Sequence, residues 1–389
     1  MKPRILTFAS HYLPGFKGGG PIRTMASLVD TLGDEFEFIL VTQDRDLGCS
    51  EPYFGIEANA WQQIGKAKVC YLSPERLAWP SLRQLISNTP HDILYLNSFF
   101  SLQFGILPLL FRRCGLIPKK PTIMAPRGQF SAGALQLKPR KKRAYIHFVK
   151  ALRLHASLLW QVSSSHEKED LYTVFGAGPE SETKLKVVVA SDLPNITHLT
   201  PLPARSKKSG TIRIVFLSRI SPKKNLAGAL SFLSGVKGDV LFDIYGPVED
   251  VAYWKECQLL IDQLPDNIQI RYQGTVAHDS VVQAMATYDL FFLPTLGENY
   301  GHVIIEALAA GCLLLISDQT PWRDLERLGI GWDIPLDQQE RFITVLQHCV
   351  EMSNEEMADY SVRARAYAKQ TMADSVAVQQ NRDLFLQLL

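Results

Sequence analysis

Short runs of β-branched and aromatic residues alternate along this chain with stretches of helical periodicity. Several runs are continuously apolar, which is typical of parallel strands that are covered on both faces. The alternation predicts βαβ units and doubly wound sheets. The predicted strands are Arg4–Ala9, Phe36–Thr42, Lys68–Leu72, Asp92–Ser98, Thr122–Pro126, Leu158–Ser164, Leu185–Ala190, Ile212–Arg219, Val240–Gly246, Ile268–Gly274, Leu290–Thr295 and Leu313–Asp318.

The alternation stops at Leu193–Gly210, which is rich in Pro, Ser and Lys and has no periodicity. A chain of 389 residues is long enough for two domains. We therefore predict an α/β protein with two Rossmann-like, doubly wound domains that face each other across a cleft. The predicted domains are residues 1–200, joined by a C-terminal helix near 375–389, and residues 201–374.

The composition is that of a globular protein, with 46% hydrophobic and 21% charged residues, and it excludes overall disorder. The six cysteines form no CxxC pair, which indicates reduced thiols and no zinc site. The first ten residues resemble a strand more than a signal peptide. The most apolar stretch, Phe99–Phe111, is too short to cross a bilayer comfortably. We expect a cytoplasmic protein without a membrane span.

Charge is distributed unevenly, although the net charge is only +2. Between Asp92 and Glu167 there are 12 Lys and Arg residues and no acidic residue. A basic face of this kind predicts an anionic partner, such as phosphate groups, nucleic acid or a lipid surface.

The loop after the first predicted strand holds three consecutive glycines, Gly18, Gly19 and Gly20, followed by Pro21. Glycine lets the backbone approach a ligand closely, and proline suits the first turn of a helix, whose free N–H groups favour an anion. The Gly-Lys-Ser/Thr ending of a P-loop is absent. The pattern predicts an anion-binding loop, with a flexible turn as the alternative.

Two cations flank the loop that follows the predicted strand Ile212–Arg219. Arg219 ends the strand, and Lys224 lies five residues later, near the start of the next helix. A cation at a helix N-terminus opposes the macrodipole, so this placement does not serve helix stability. An anion held between the two side chains would resolve the conflict. The alternative is a solvated basic loop.

Two glutamates eight residues apart mark the segment Leu290–Gly311. Glu306 lies on an apolar helix, where a carboxylate is costly unless it accepts strong hydrogen bonds. The two hydroxyls of a ribose could donate them. Glu298, in the loop before the helix, could accept from sugar hydroxyls, or it could be a charge at a helix N-terminus. A phosphate contact is predicted for four backbone amides, those of Asn299, Tyr300, Gly301 and His302.

Together, the Glu298–Glu306 spacing, the Arg219/Lys224 spacing and the Gly18–Gly20 loop resemble the retaining GT-B glycosyltransferases of family 4. The resemblance covers essentially the whole chain and is most specific in the second predicted domain. It implies a GT-B fold with an acceptor-binding N-terminal domain and a C-terminal domain that binds a nucleotide sugar.

By this resemblance, Arg219 and Lys224 bind the donor pyrophosphate and stabilise the departing nucleoside diphosphate. Glu306 binds the ribose, and Glu298 contacts the donor sugar. The loop Gly18–Gly20 lies under the transferred sugar and phosphate. The residues that border the nucleotide base are Gly246, Pro247, Thr275 and Val276. No cofactor or metal is expected beyond the substrate, a UDP- or GDP-linked sugar.

One position departs from the family pattern. Many members carry a His-Gly pair after a middle strand of the first domain, and here Arg127-Gly128 stands in that place. The Pro126-Arg127-Gly128 variant, followed by Ser-Ala-Gly-Ala-Leu and a lysine cluster, resembles a subgroup associated with bacterial surface polysaccharides. Arg127 cannot act as a base. It could stabilise charge on the leaving phosphate or position the acceptor.

The segment Lys138–His155, called the basic segment below, interleaves seven Lys and Arg residues with apolar ones. This pattern is typical of an interfacial helix on anionic lipid. The cations concerned are Lys138, Arg140, Lys141, Lys142 and Arg143, and the apolar stripe is Tyr145, Phe148 and Leu152. The alternatives are anionic-acceptor binding, nucleic-acid binding and a solvated surface.

These features predict a glycosyltransferase of the hexosyltransferase type, peripheral on the cytoplasmic face of the membrane. It would transfer a sugar, with retention, to a lipid-linked bacterial polysaccharide or lipopolysaccharide acceptor. One alternative is a GT-B protein that binds a nucleotide sugar but has lost transfer. A nucleic-acid-binding protein that uses the basic segment is the other, although it leaves Glu306 unexplained.

Overall fold

The computed structural model describes residues 2–136, 138–155, 157–176, 185–194, 201, 203 and 205–389. The chain forms two compact units: unit 1 comprises Met1–Asn195 and Ser375–Leu389, and unit 2 comprises Ile196–Asp374. The predicted linker, Leu193–Gly210, lies partly outside the described residues, and the first strand of unit 2 begins directly after it.

Unit 1 is built on a sheet to which the described residues contribute eight strands. They are β1 (Arg4–Phe8), β2 (Glu37–Gln43), β3 (Trp61–Ile64), β4 (Ala67–Leu72), β5 (Ile93–Leu96), β6 (Thr122–Met124), β7 (Leu159–Val162) and β8 (Lys186–Val189). Their spatial order is β3-β4-β2-β1-β5-β6-β7-β8. All pairs are parallel except β3 with β4 at the edge.

Helices cover both faces of this sheet because successive side chains of a strand point to opposite faces. In β1, for example, Ile5 belongs to one apolar cluster, whereas Leu6 and Phe8 belong to another. The helices are α1 (Gly20–Leu32), α2 (Trp79–Asn88), α3 (Leu107–Arg113), α4 (Ala132–Gln136), α5 (Pro139–Ala151) and α6 (Ser165–Phe175).

Unit 2 has a fully parallel sheet of six strands among the described residues. They are β9 (Thr211–Leu217), β10 (Asp239–Tyr245), β11 (Ile268–Gly274), β12 (Leu290–Leu293), β13 (Leu313–Ser317) and β14 (Gly331–Ile334), in the spatial order β11-β10-β9-β12-β13-β14. Its helices are α7 (Leu226–Leu233), α8 (Val251–Ile261), α9 (Val281–Met285), α10 (His302–Ala309), α11 (Leu325–Leu328), α12 (Gln339–Glu351) and α13 (Asn354–Ala373).

The predicted class of two parallel-sheet α/β domains is confirmed. Sequence reasoning missed two edge strands, β3 and β14. Strand β3 has the sequence WQQI and is at least partly exposed throughout, so it lacks an apolar run. Strand β14 begins at Gly331 and has the sequence GWDI, which also carries little strand signal.

The last helix, α14 (Ser375–Leu386), belongs to unit 1. Phe385 is fully buried, and its ring centroid lies 5.3 Å from that of Phe36 and 5.5 Å from that of Tyr95. The guanidinium of Arg382 donates to both carboxylate oxygens of Glu35, at 2.6 and 2.7 Å. The end of the chain is therefore part of the core of unit 1.

We expect Phe385→Ala to lower the free energy of unfolding of unit 1 by about 3–5 kcal/mol, because it removes a buried aromatic ring. Urea unfolding followed by circular dichroism measures the effect. The control is Leu386→Ala, the next residue, whose side chain is half exposed. Equal stability of the two variants would contradict the packing described for α14.

The backbone joins the carboxyl ends of three strands of unit 2. Ser218 N–H donates to Tyr245 O at 3.0 Å, and Gly246 N–H donates to Gly274 O at 2.8 Å. Gly246 has φ of 137°, and a Cβ atom there would lie 1.9 Å from Ser218 O. Only glycine allows the loops after β9 and β10 to approach this closely.

Gly246→Ala should therefore cost about 1–3 kcal/mol of stability in excess of Gly274→Ala, because the methyl group meets fixed backbone. Gly274 is a matched control, since it also has a positive φ, +73°, but has open space around its Cβ position. Chemical denaturation of both variants measures the difference. If Gly246→Ala were the milder change, the close approach to Ser218 would be wrong.

Candidate functional site

The order in which strands are added to the sheet of unit 2 reverses between β9 and β12. From β9 the chain builds outward to β10 and β11, then returns to β12 and continues to β13 and β14 on the other side. Loops that leave the carboxyl ends of two such strands diverge, and the crevice between them is where open α/β sheets bind ligands. Every candidate residue predicted for unit 2 lies after β9, β10, β11 or β12.

An ion pair joins the two loops at this crevice. The ammonium of Lys224 contacts Oε1 of Glu298, and their side chains are only 11% and 13% exposed. Lys224 ends a 3₁₀ turn, and α7 begins at Leu226 after Asn225, whose side chain accepts from Gly228 N–H at 3.2 Å. Lys224 thus lies near the start of the next helix, as the sequence predicted.

Hydrogen bonds to the backbone hold the two loops together around this pair. Lys223 O accepts from Leu296 N–H at 2.8 Å and from the Thr295 hydroxyl at 3.1 Å. The amide of Asn225 donates to Pro294 O at 2.9 Å, and Glu298 N–H donates to the carbonyl of Gln319 at 2.9 Å. The position of Lys224 relative to Glu298 is therefore determined by the fold.

Electrostatics keep Glu298 ionised. Burial by itself raises the pKa of this carboxyl, but Lys224, Lys223 and Arg219 outweigh it, so the pKa lies below its ordinary value. A lowered carboxyl pKa contributes to the free energy of unfolding at pH values above the ordinary pKa of the carboxyl. This contribution is lost as the pH falls through the lowered pKa. At neutral pH the crevice therefore holds a carboxylate beside several cations.

Arg219 lies just after the carboxyl end of β9, and its ion-pair partner is not Glu298. Its guanidinium donates to Oε1 of Glu249 at 3.0 Å, and the two side chains are 30% and 38% exposed. Glu249 was missed by the sequence reasoning, although it lies in the loop that starts with Gly246 and Pro247. A surface pair of this kind is weak and can be exchanged for another anion.

Glu306 is buried on α10, with its side chain 3% exposed. The helix begins at His302, and Gly301 precedes it with φ of 79°. Nδ1 of His278 lies 3.6 Å from Oε1 of Glu306. His278 was not predicted as a site residue. It follows Thr275 and Val276 in the loop after β11, and this position was the feature of the sequence that could have identified it.

The remaining predicted residues of unit 2 lie in the loops that follow β11 and β12 in the chain. Thr275 is exposed, Val276 packs against the core, and Gly301 and His302 are buried. The carbonyl of Tyr300 accepts from the indole N–H of Trp322 at 2.5 Å.

In unit 1, the loop Gly18–Gly20 leads directly into α1, with Gly19 at φ of 70° before the helix. Asp46 shapes this loop, because its Oδ2 accepts from the backbone N–H groups of Phe16 at 2.8 Å and Lys17 at 3.1 Å. Asp46 is 30 residues away in sequence from Phe16, and no pattern in the sequence identified it.

Arg127 is buried, with its side chain 5% exposed, and it is ion-paired with Asp192 at 2.7 Å. Its Nε and NH2 groups donate to Oδ1 of Asn97 at 3.1 and 2.8 Å, and NH2 also contacts the Tyr95 hydroxyl. The other oxygen of Asp192 accepts from the Thr24 hydroxyl, on α1, at 2.9 Å. Sequence reasoning missed these partners, and a catalytic role for Arg127 stays a prediction.

The basic segment forms α5, but its predicted apolar stripe is wrong at one position. The ring of Tyr145 packs inward, with its centroid 5.0 Å from that of Phe99, whereas Phe148 and Leu152 are 42% and 41% exposed. Lys142 also turns inward, donating to Ala134 O at 2.6 Å. Of the five cations predicted to bind lipid, Lys138, Arg140, Lys141 and Arg143 are exposed.

In the part of the chain that the structure describes, no group of three His, Cys, Asp or Glu side chains could hold a metal ion. None of the described helices is long and apolar enough to cross a membrane.

The sequence of unit 2 matches a known protein family. Residues 202–367 match the family model described as Glycosyl transferases group 1. A stretch of 156 residues is 28% identical to a phosphatidyl-myo-inositol mannosyltransferase of Mycobacterium leprae (strain TN), covering 38% of this chain. The match spans only 40% of the length of that relative.

Solved structures resemble the whole chain. Anabaena HepE in complex with UDP and glucose has a TM-score of 0.70 at 15% identity, and each chain is covered to 99%. WaaG, a glycosyltransferase involved in lipopolysaccharide biosynthesis, has a TM-score of 0.65 at 14% identity, with 98% of this chain and 99% of that chain covered. Sucrose-phosphate synthase from Thermosynechococcus elongatus has a TM-score of 0.69 at 13% identity, covering 100% and 99%.

The fold that the sequence motifs implied is thus confirmed. The chain has the GT-B fold, and residues 202–367 of its second unit match the model of the group 1 glycosyltransferases.

Proposed function

We propose that the protein is a glycosyltransferase that moves a sugar from a nucleotide sugar to an acceptor hydroxyl. The donor binds in the crevice between β9 and β12 of unit 2, and unit 1 binds the acceptor. One observation carries the proposal: Lys224 and Glu298 form a buried ion pair at the switch point of a group 1 domain, with Arg219 on the same loop.

The chemistry required is stabilisation of a departing diphosphate. A diphosphate that enters the crevice offers Lys224 and Arg219 a stronger anion than Glu298 and Glu249, with which they are paired. The two cations then neutralise charge as it develops on the leaving group, which is catalysis by preorganised electrostatics. Glu298, released from Lys224, accepts hydrogen bonds from hydroxyls of the donor sugar.

Glu306 is suited to the ribose of the same donor. Its carboxylate is buried on α10, and His278 stands 3.6 Å from one oxygen at the mouth of the loop after β11. Two ribose hydroxyls can donate to one carboxylate, which compensates for its burial. The base then lies near Gly246, Pro247, Thr275 and Val276, and the amides of Asn299–His302 face the phosphate.

We further propose the donor nucleotide, the stereochemical outcome and the acceptor. The donor is linked to UDP or GDP, and HepE, which has the same fold, was solved with UDP. The reaction retains configuration, with a donor phosphate oxygen as the base. The acceptor is a lipid-linked polysaccharide or lipopolysaccharide at the cytoplasmic face of the membrane, a choice supported by the lipopolysaccharide role of WaaG.

A second candidate is a protein that binds the donor without transferring the sugar. The observation that favours it is Arg127, which replaces the family histidine and whose guanidinium is already engaged by Asp192 and Asn97. Turnover of the donor separates the two candidates, because only the enzyme releases free nucleoside diphosphate.

Arg219→Ala and Lys224→Ala should each weaken binding of the nucleoside diphosphate by about 1.5–3 kcal/mol, the range for hydrogen bonds to charged groups. Calorimetry with UDP and GDP measures the loss, and thermal unfolding checks the fold. Lys237→Ala, an exposed lysine of the same unit, is the control. Unchanged affinity in both variants would exclude the diphosphate site.

Substitutions of Glu306 and Glu298 should affect different steps, diphosphate binding and sugar transfer. Glu306→Gln weakens binding of the free nucleoside diphosphate because it loses contact with the ribose, whereas Glu298→Gln acts mainly on sugar transfer. Calorimetry with the diphosphate and an assay of transfer distinguish them. Equal loss of diphosphate binding in both variants would refute this division.

The exposed cations of the basic segment should bind anionic lipid, at about 1 kcal/mol for each Lys or Arg near the surface. Replacing Lys138, Arg140, Lys141 and Arg143 with Ser should abolish sedimentation with phosphatidylglycerol vesicles at low salt, while diphosphate binding persists in unit 2. Phe148→Ser should weaken sedimentation by loss of apolar insertion.

The control for this test replaces two exposed lysines of unit 2, Lys237 and Lys255, with Ser. Sedimentation with neutral vesicles is the second control. If the unaltered protein ignores anionic vesicles at low salt but binds RNA, the basic segment has a nucleic-acid partner.

A further inference from the structure

Arg127 occupies the place of the family histidine, but most of its N–H groups are already engaged within unit 1. Nε and NH2 donate to Oδ1 of Asn97 at 3.1 and 2.8 Å, NH1 donates to Oδ1 of Asp192 at 2.7 Å, and NH2 also contacts the Tyr95 hydroxyl. These contacts use four of the five N–H donors of a guanidinium. Since Asp192 also balances the positive charge, a phosphate or an acceptor would have to displace buried partners in order to bind Arg127.

The backbone at this position is held in an unfavourable conformation. Arg127 has φ of 55°, and Gly128 has φ of 70°. A left-handed conformation is uncommon for residues other than glycine and persists only where the surrounding structure enforces it. The buried carboxylate of Glu167 enforces it here, because its Oε1 accepts from Gly128 N–H at 2.6 Å and its Oε2 accepts from Ser163 N–H at 2.7 Å. The turn thus directs the guanidinium into the interior of unit 1.

Asp192 extends the contact of Arg127 to the helix that follows the glycine loop. While its Oδ1 accepts from Arg127, its Oδ2 accepts from the Thr24 hydroxyl at 2.9 Å. Thr24 lies on α1, which begins at Gly20, so this hydroxyl is about one turn from the start of the helix. The ion pair therefore fixes the first turn of α1 relative to the loop that carries Arg127.

Tyr95 extends the contact in the other direction, to the last helix. Its hydroxyl accepts from Arg127 and donates to Oε1 of Gln161, whose Nε2 donates to Oδ1 of Asn381 at 3.3 Å. The amide of Asn381, on α14, donates in turn to Ser191 O at 2.7 Å. Because Ser191 directly precedes the carboxylate that pairs with Arg127, the network closes on itself.

This network lies next to the two places where the chain passes between the units. Unit 1 ends at Asn195 and resumes at Ser375, the first residue of α14. Ser191 N–H also donates to Oε1 of Gln380 at 3.1 Å, so the segment after β8 and α14 are tied together within unit 1. Stability alone does not account for a buried charged network, because apolar residues of the same volume often stabilise a fold as well.

We propose that Arg127 is a positioning residue, which acts through Asp192 and Tyr95 and makes no contact with the substrates. It holds α1, the segment after β8 and α14 in one arrangement. Its importance for sugar transfer rests on the function proposed above. Its effect on α1 does not, because the network lies within unit 1.

Hydrogen exchange of the full chain, followed by mass spectrometry, tests the effect on α1. Arg127→Lys keeps the charge but not the planar fork of donors, and Thr24→Val removes one hydroxyl at the far end of the network and leaves every charge in place. We expect both variants to exchange faster in the first two turns of α1, by about tenfold for Arg127→Lys, which loses buried charged hydrogen bonds, and by less for Thr24→Val. The matched control is Arg83→Lys, an exposed arginine on α2 that donates to Leu116 O at 3.2 Å.

Turnover of UDP-glucose and GDP-mannose, measured as release of UDP or GDP, distinguishes positioning from contact with a substrate. We expect Arg127→Lys, Asp192→Asn and the double variant to lose turnover by a similar factor, because all three break the same contact. Affinity for the free diphosphate should stay unchanged, since it binds in unit 2. If Arg127→Lys keeps full turnover, or if the loss in the double variant equals the product of the two single losses, the proposal is wrong.

Unchanged exchange of α1 in both Arg127→Lys and Thr24→Val would also overturn the proposal. If Arg127→Lys does not fold, Thr24→Val decides, because it alters no charge. A protein that turns over neither nucleotide sugar and binds neither UDP nor GDP would exclude the proposed function. Faster exchange of α1 in the two variants of that protein would still support the positioning of α1 by Arg127.

Discussion

The ion pair between Lys224 and Glu298 is the interaction on which the candidate site depends. Both groups are largely removed from water, and such a pair usually contributes less to stability than apolar side chains of the same size. Its position is nevertheless fixed by backbone hydrogen bonds between the loops after β9 and β12. This arrangement keeps an ammonium group and a carboxylate together in the crevice where we propose that the diphosphate binds.

The parallel sheet explains why the other candidate residues meet at the same edge. The carboxyl ends of β9, β10, β11 and β12 point the same way, so Arg219, Gly246, Thr275 and Glu298 lie at the same edge of the unit 2 sheet despite their separation in sequence. Unit 1 repeats this plan, because the order of its sheet also reverses, between β1 and β5.

The sequence was sufficient for features that are local in the chain. Continuous apolar runs identified most strands, and the Glu298–Glu306 spacing identified the loop and helix that carry both glutamates. Partners brought together only by the tertiary fold could not be predicted: Asp192 lies 65 residues from Arg127, and Glu249 lies 30 from Arg219. Helical spacing also failed to distinguish the inward face of α5, so Tyr145 was assigned to the surface.

The most direct test of the account is a crystal structure of the full chain with a nucleotide sugar selected by a thermal-shift screen of UDP- and GDP-sugars. We predict a diphosphate within hydrogen-bond distance of Lys224 and Arg219, with Glu298 separated from Lys224 and the ribose hydroxyls on Glu306. A nucleotide bound elsewhere, with the ion pair of Lys224 and Glu298 intact, would contradict the account.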